Sequence, residues 1–106
     1  MADQKKTRRE LLESFVAQKP DDAFSRYGLA MECLNAGDVA AAEANFRELL
    51  TRNQDYVPAY LMFAQLLVKE SRGEEARPVL HQGISAASKA GNPHAASEME
   101  ALLSEL

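Results

Sequence analysis

The apolar positions of this chain recur at helical spacing along nearly its whole length. In "NQDYVPAYLMFAQLLVKES", residues 53 to 71, Tyr60, Phe63, Ala64 and Leu67 stand at i, i+3, i+4 and i+7, the stripe of one helix face. Thirty-six residues earlier, "QKPDDAFSRYGLAMECLNA" places Phe24, Tyr27, Gly28 and Met31 at the same spacing. Between and around these stripes the sequence carries helix starts and stops and almost no strand signal.

Thr7 followed by Glu10 fits a capping box, in which hydroxyl and carboxylate each satisfy an orphan N–H group. Leu11, Leu12, Phe15 and Val16 then share a face, so the pattern predicts a short amphipathic helix over residues 7 to 18. Lys19-Pro20 ends it, because the residue before proline avoids the α region. Asp21 or Asp22 caps a second helix reaching about Ala36, with Gly37 as its left-handed stop and Asp38 as the next N-cap. "VAAAEANFRELLTR" follows as a helix striped by Val39, Ala42, Phe46, Leu49 and Leu50.

The plan then repeats. "YVPAYLMFAQLLVKES" predicts a helix, Gly73 turns the chain, and "EEARPVLHQGISAASKA" returns with Pro78 near its first turn, where a missing N–H is cheap. Gly91 stops that helix, Asn92 caps and Pro93 opens a last one ending near Leu106. Ala95, Met99, Leu102, Leu103 and Leu106 form the last helix's apolar face, with Glu98, Glu100 and Glu105 outside. Connections this short impose antiparallel neighbours, hence helix hairpins.

One hairpin cannot cover both of its apolar faces, so the repetition predicts hairpins stacked on one another. The pattern resembles tetratricopeptide repeats, whose helix A carries a large residue, a medium and a small one, then another large one. In the second copy these are Tyr60, Phe63, Ala64 and Leu67, and Ala76, Leu80 and Gly83 supply helix B, in keeping with a unit of about 34 residues. In the first copy Phe24, Tyr27, Gly28 and Met31 fill helix A, and Ala42, Phe46 and Leu49 fill helix B. That assignment requires an inter-helix turn two residues longer around "LNAGD". Gly28, Ala64, Ala76 and Gly83 are then the small residues that let helices A and B approach closely.

The resemblance implies an all-α fold of five to six helices, antiparallel hairpins stacked as a short right-handed α-solenoid. It divides one domain over 1–106 into a half-repeat helix (7–19), repeat 1 (21–54), repeat 2 (57–90) and a C-terminal capping helix (93–106). It also implies a non-catalytic protein–protein interaction scaffold.

Composition narrows the partners. With 46% hydrophobic and 26% charged residues over 106 positions, the chain is of ordinary globular make-up. A net charge of −4 offers no general attraction to nucleic acid or an anionic membrane. Lys5, Lys6, Arg8 and Arg9 form one basic cluster, read as a solvated segment and a first helical turn. The single cysteine, Cys33, excludes an internal disulfide. "MADQKKTRREL" reads as a natural start with no apolar signal segment after it, so cytoplasmic residence is the expectation.

Candidate chemistry is sparse. His81 and His94 stand thirteen residues apart on different predicted helices, and no HExxH or CxxC accompanies them. No glycine-rich phosphate loop occurs, and Glu74-Glu75 and Asp21-Asp22 fall at helix starts, where they complement the helix dipole. Neither cofactor, metal nor small-molecule substrate is expected, and no enzyme.

Helix A residues that do not pack inside the hairpin line a concave groove in proteins of the resembled family. Carried over, that groove is Ser25, Arg26, Leu29, Glu32 and Cys33 from the first copy and Leu61, Met62, Gln65, Val68 and Lys69 from the second. Where chaperone-clamping members carry lysine and asparagine, this chain has Ser25, Leu29 and Met62. The resemblance therefore implies a groove for an apolar or amphipathic peptide. Two alternatives stay open: the C-terminal helix folds over these residues, or the exposed helix faces serve self-assembly into a homodimer or larger complex.

Overall fold

A computed structural model describes residues 5–106; residues 1–4, part of the expected natural start, lie outside the described residues. Six α-helices follow in order: α1 (Arg8–Gln18), α2 (Ala23–Asn35), α3 (Val39–Arg52), α4 (Val57–Lys69), α5 (Gly73–Lys89) and α6 (Pro93–Ser104). No strand occurs among the described residues, and the fold is an all-α helical repeat. The chain forms two compact units, Met1–Arg52 and Asn53–Leu106.

In the first unit, the capping box that the sequence predicts is formed. Glu10 N–H donates to Thr7 Oγ1 at 3.1 Å and Thr7 N–H to Glu10 Oε1 at 2.8 Å. α2 ends at Gly37, whose φ of +78° only glycine adopts at little cost. The Asp38 N–H closes that end on the Cys33 carbonyl at 2.9 Å, and the Asp38 carboxylate accepts from Ala41 N–H at 3.2 Å to start α3. The core of this unit is Leu29, Ala30 and Cys33 of α2 with Ala42, Phe46 and Leu49 of α3. α1 contributes no fully buried residue.

In the second unit α4 is apolar nearly all round, burying Val57, Ala59, Tyr60, Phe63, Ala64, Leu66 and Leu67. These meet Ala76, Leu80, Gly83 and Ala87 of α5 and Met99 of α6. A methyl group placed on Gly83 would lie 2.5 Å from both Tyr60 Cβ and Met99 Sδ, so this glycine is where α4, α5 and α6 converge. Asn92 caps α6 by accepting from Ala95 N–H at 3.1 Å, and Arg77 of α5 donates to the Leu106 carbonyl at 2.6 Å.

Two turn expectations need correction. The residue that turns the chain between α4 and α5 is Ser71, at φ +62°, while Gly73 is already the first residue of α5. Pro78 consequently lies inside α5, on its solvent side, and not near its first turn.

Burial also corrects the register of the first copy. The buried residues of α2 are Leu29, Ala30 and Cys33, each 34 residues before Phe63, Ala64 and Leu67 of α4. Ala42, Phe46 and Leu49 precede Ala76, Leu80 and Gly83 by the same distance, as the left-handed stop Gly37 precedes Ser71. The longer turn around "LNAGD" does not exist. Arg26 is the counterpart of Tyr60, and Phe24, expected inside, is 76% exposed.

Candidate interaction surface

α2 carries two apolar stripes, and folding uses one. Leu29, Ala30 and Cys33 go to the core, which leaves Phe24 outside, with Tyr27, Gly28 and Met31 half-buried. Tyr27 sets its ring edge-on to Phe46, with centroids 6.5 Å apart, and so belongs partly to the α2–α3 contact. α1 runs antiparallel along α2, where a methyl on Gly28 would stand 3.4 Å from Leu12 Cδ2. The missing side chain at Gly28 therefore seats α1, not α3.

Only one edge of α1 is engaged by this packing. Arg8 Nε pairs with Glu32 at 3.1 Å, and Arg9 reaches Asp38 at 3.1 Å and Glu13 at 3.4 Å. Leu11 and Phe15, on the neighbouring edge, remain 44% and 51% exposed. With Leu12 over Gly28, the antiparallel register brings Phe15 level with Phe24 at the closed end of the hairpin. Leu11, Phe15 and Phe24 are the large hydrophobic residues left exposed among the described residues, and all three belong to this hairpin. Large exposed apolar side chains gathered in one place mark a recognition surface more often than scattered ones do.

The electrostatics beside this face are simple. The Ala41 N–H, then the Arg9 guanidinium, hold the Asp38 carboxyl below the usual aspartate range. Burial pushes the Cys33 thiol up, against the pull of Arg9. A buried protonated thiol is a small hydrophobe, not a nucleophile.

The groove residues expected from the sequence divide as follows. Leu29 and Cys33 are buried in the first unit's core and present nothing to a ligand. Ser25 donates to Asp22 Oδ2 at 2.6 Å, Arg26 donates to the Pro20 carbonyl at 3.2 Å, and Glu32 holds Arg8. The Arg26 Nε is buried without a hydrogen-bond partner. In the second unit Leu61, Met62 and Val68 are half-buried, and Gln65 and Lys69 are exposed. By the 34-residue register their counterparts are Tyr27, Gly28, Leu34, Met31 and Asn35, not the five residues that the sequence suggested. The signal was available: Tyr60 and Ala76 are sixteen apart, and sixteen before Ala42 is Arg26.

Among the described residues no group of three or more His, Cys, Asp or Glu side chains could hold a metal ion. His81 is exposed, and His94 Nε2 lies 3.7 Å from Glu98 Oε1 on the solvent side of α6. No helix of the described residues is long and apolar enough to cross a membrane.

Paired helices repeating every 34 residues define a helical-repeat protein of the kind that serves as an interaction module. The tetratricopeptide repeat family model matches residues 34–103, and the chain belongs to that family. The matched span includes α6. Solved structures agree. The solution structure of a tetratricopeptide repeat domain protein from Salinibacter ruber is 32% identical, with a TM-score of 0.77 over 82% of this chain and 88% of that one. A crystal structure of a tetratricopeptide repeat domain protein from the same organism is also 32% identical, with a TM-score of 0.74 over 79% and 93%. A protein of Bordetella parapertussis, 23% identical with a TM-score of 0.77 over 95% and 88%, shares the fold. No curated protein shows significant similarity to the chain.

Proposed function

We propose that the protein is a non-catalytic interaction module of the cytoplasm that takes an apolar or amphipathic segment of another protein on the outward faces of its repeat helices. The observation that carries this reading is the exposure of Leu11, Phe15 and Phe24, all three on the α1–α2 hairpin. The outward face of α4, with Leu61, Met62, Gln65, Val68 and Lys69, is the second candidate surface. Such faces suit an amphipathic segment whose apolar side chains recur at i, i+3 or i+4 and i+7. Methionine helps them adapt to it. Affinity in the micromolar range, about −8 kcal/mol, is the scale for such a contact.

Affinity capture from the native extract, comparing wild type with Phe24→Glu and Met62→Glu, tests the reading. Phe24 is 76% exposed, so its substitution spares the core. The same partner should be retained by the wild type and lost by at least one variant of unchanged helicity. Capture that is indifferent to both substitutions refutes the proposal.

A further inference from the structure

We infer that the α1–α2 face docks against α6 of a second copy of the chain, so that copies associate head to tail. This rests on reading that face as a recognition surface and goes further by naming its occupant.

Arg8, Leu12 and Phe15 of α1 stand 34 residues before Ala42, Phe46 and Leu49 of α3, and 68 before Ala76, Leu80 and Gly83 of α5. All six later residues are buried, because α3 and α5 each lie against the helix that precedes them, α2 and α4. No helix precedes α1 among the described residues, and Phe15, at the place of Leu49, is half exposed. The side of α1 that carries Phe15 corresponds to the side that an even-numbered helix covers on α3 and α5, and α6 is of that class.

Residues 5–19 carry five basic side chains, Lys5, Lys6, Arg8, Arg9 and Lys19, against two acidic ones, Glu10 and Glu13, a net of +3. Residues 93–106 carry Glu98, Glu100 and Glu105 and no lysine or arginine, a net of −3. Over the whole hairpin, residues 5–35, Arg26 and the acidic Asp21, Asp22 and Glu32 reduce the excess of residues 5–19 to six basic against five acidic, a net of +1, and Arg8 and Arg9 are held by Glu32, Asp38 and Glu13; the positive charge open to α6 is that of Lys5, Lys6 and Lys19 at the two ends of α1. Complementary charge of this kind steers and selects partners.

α6 turns Met99 into its own unit and leaves Ser97, Ala101 and Ser104 on its solvent side. Helical spacing puts Glu98 and Glu105 on one flank of that low strip and Glu100 on the other. Phe15 and Phe24 fit against a strip of small side chains, with the glutamates facing the lysines at the ends of α1. The second unit need not open.

Such a contact is heterologous, so it extends into open chains unless the geometry closes a ring. One helix-to-hairpin contact is smaller than the roughly 1,000 Å² of a lasting interface, so association is weak and reversible.

Sedimentation velocity on the full chain, from about 10 µM to about 1 mM, reads this directly. Wild type should grow in mass with concentration, with association at least about tenfold tighter at about 50 mM than at about 500 mM salt. A head variant, Phe15→Glu with Phe24→Glu, and a tail variant, Glu98→Lys with Glu105→Lys, should each stay monomeric. Mixed, they should form a one-to-one dimer that grows no further, because each retains the surface the other lacks; that dimer also shows both variants to be folded. Wild type that remains monomeric overturns the inference, as does a tail variant that self-associates like wild type, the signature of symmetric pairing through α1–α2. If wild type is monomeric while a captured protein still depends on Phe24, the head-to-tail inference fails and the interaction-module reading stands.

Discussion

Replacing Gly83 by alanine measures how tightly the second unit is drawn together. The added methyl would lie 2.5 Å from Tyr60 Cβ, 2.9 Å from Tyr60 Cγ and 2.5 Å from Met99 Sδ, whereas carbon atoms rest at about 3.5–4.0 Å. Met99 can swing its thioether aside. Tyr60 cannot follow, because its Cβ is fixed to the α4 backbone and its hydroxyl donates to the Gln54 carbonyl at 2.6 Å. Relief therefore requires α4 and α5 to separate by about 1 Å across a close-packed core. Overpacking of this kind costs about 1–3 kcal/mol, and the lack of a flexible neighbour on the α4 side puts Gly83→Ala near the upper end, about 3 kcal/mol. Alanine's better helix propensity returns about 1 kcal/mol, leaving a net loss of about 2 kcal/mol. In urea unfolding followed by far-ultraviolet circular dichroism, the midpoint should fall by about 1 M at unchanged slope. Gly73→Ala is the control, since its methyl would meet only Leu106 Cδ2 at an ordinary 3.6 Å. If Gly83→Ala is as stable as wild type, α4 and α5 do not approach as closely as described and the argument fails.

Three further outcomes are expected. Ser71→Gly should stabilise the protein by about 0.5–1 kcal/mol, because Ser71 holds a left-handed φ of +62° that costs any residue with a Cβ; thermal melting that shows no rise contradicts this. Asp38 is held below the ordinary aspartate value by the Ala41 N–H and Arg9, so its contribution is complete above about pH 3.9 and fades as the pH falls through the lower folded value. Asp38→Asn should therefore flatten the acid side of a melting-temperature profile, and parallel wild-type and variant profiles would count against the pairing. The Cys33 thiol, buried and shifted upward, should react with iodoacetamide at about pH 8 on the order of a hundredfold more slowly in native protein than in urea; equal rates would mean that it is not in the core.

Much of the fold is legible in the sequence because its punctuation is local. Thr7 with Glu10, Gly37 with Asp38, and Gly91 with Asn92 and Pro93 each set a helix end through backbone geometry that a few neighbouring residues fix. The α4–α5 turn misleads for an equally local reason: Gly73 draws the eye, while the left-handed position two residues earlier is filled by Ser71. Periodicity fails on α2, where both faces are apolar. Phe24, Tyr27, Gly28 and Met31 make as good a stripe as Leu29, Ala30 and Cys33, so spacing within the helix cannot choose between them. The choice belongs to α3, whose Ala42 lies sixteen residues beyond Arg26, as Ala76 lies beyond Tyr60.

That exchange of faces bears on what the surface recognises. The family resemblance lines the groove from α2 with Ser25, Arg26, Leu29, Glu32 and Cys33, so that Leu29 is its apolar floor and Arg26 and Glu32 its polar border. With the register set by burial, the counterparts of Leu61, Met62 and Val68 are Tyr27, Gly28 and Leu34, and the counterpart of Gln65 is Met31. These positions are uncharged in both copies, although on α2 Gly28 is covered by Leu12 of α1 and Tyr27 leans on Phe46. The two proposed contacts then differ in physical kind. A peptide held by the exposed apolar side chains of either unit would be held mainly by apolar burial, which salt weakens little. The α1–α6 contact depends on opposed exposed charges that salt screens. Salt separates the two even though Phe24 contributes to both, because only one of them draws on Lys5, Lys6 and Lys19.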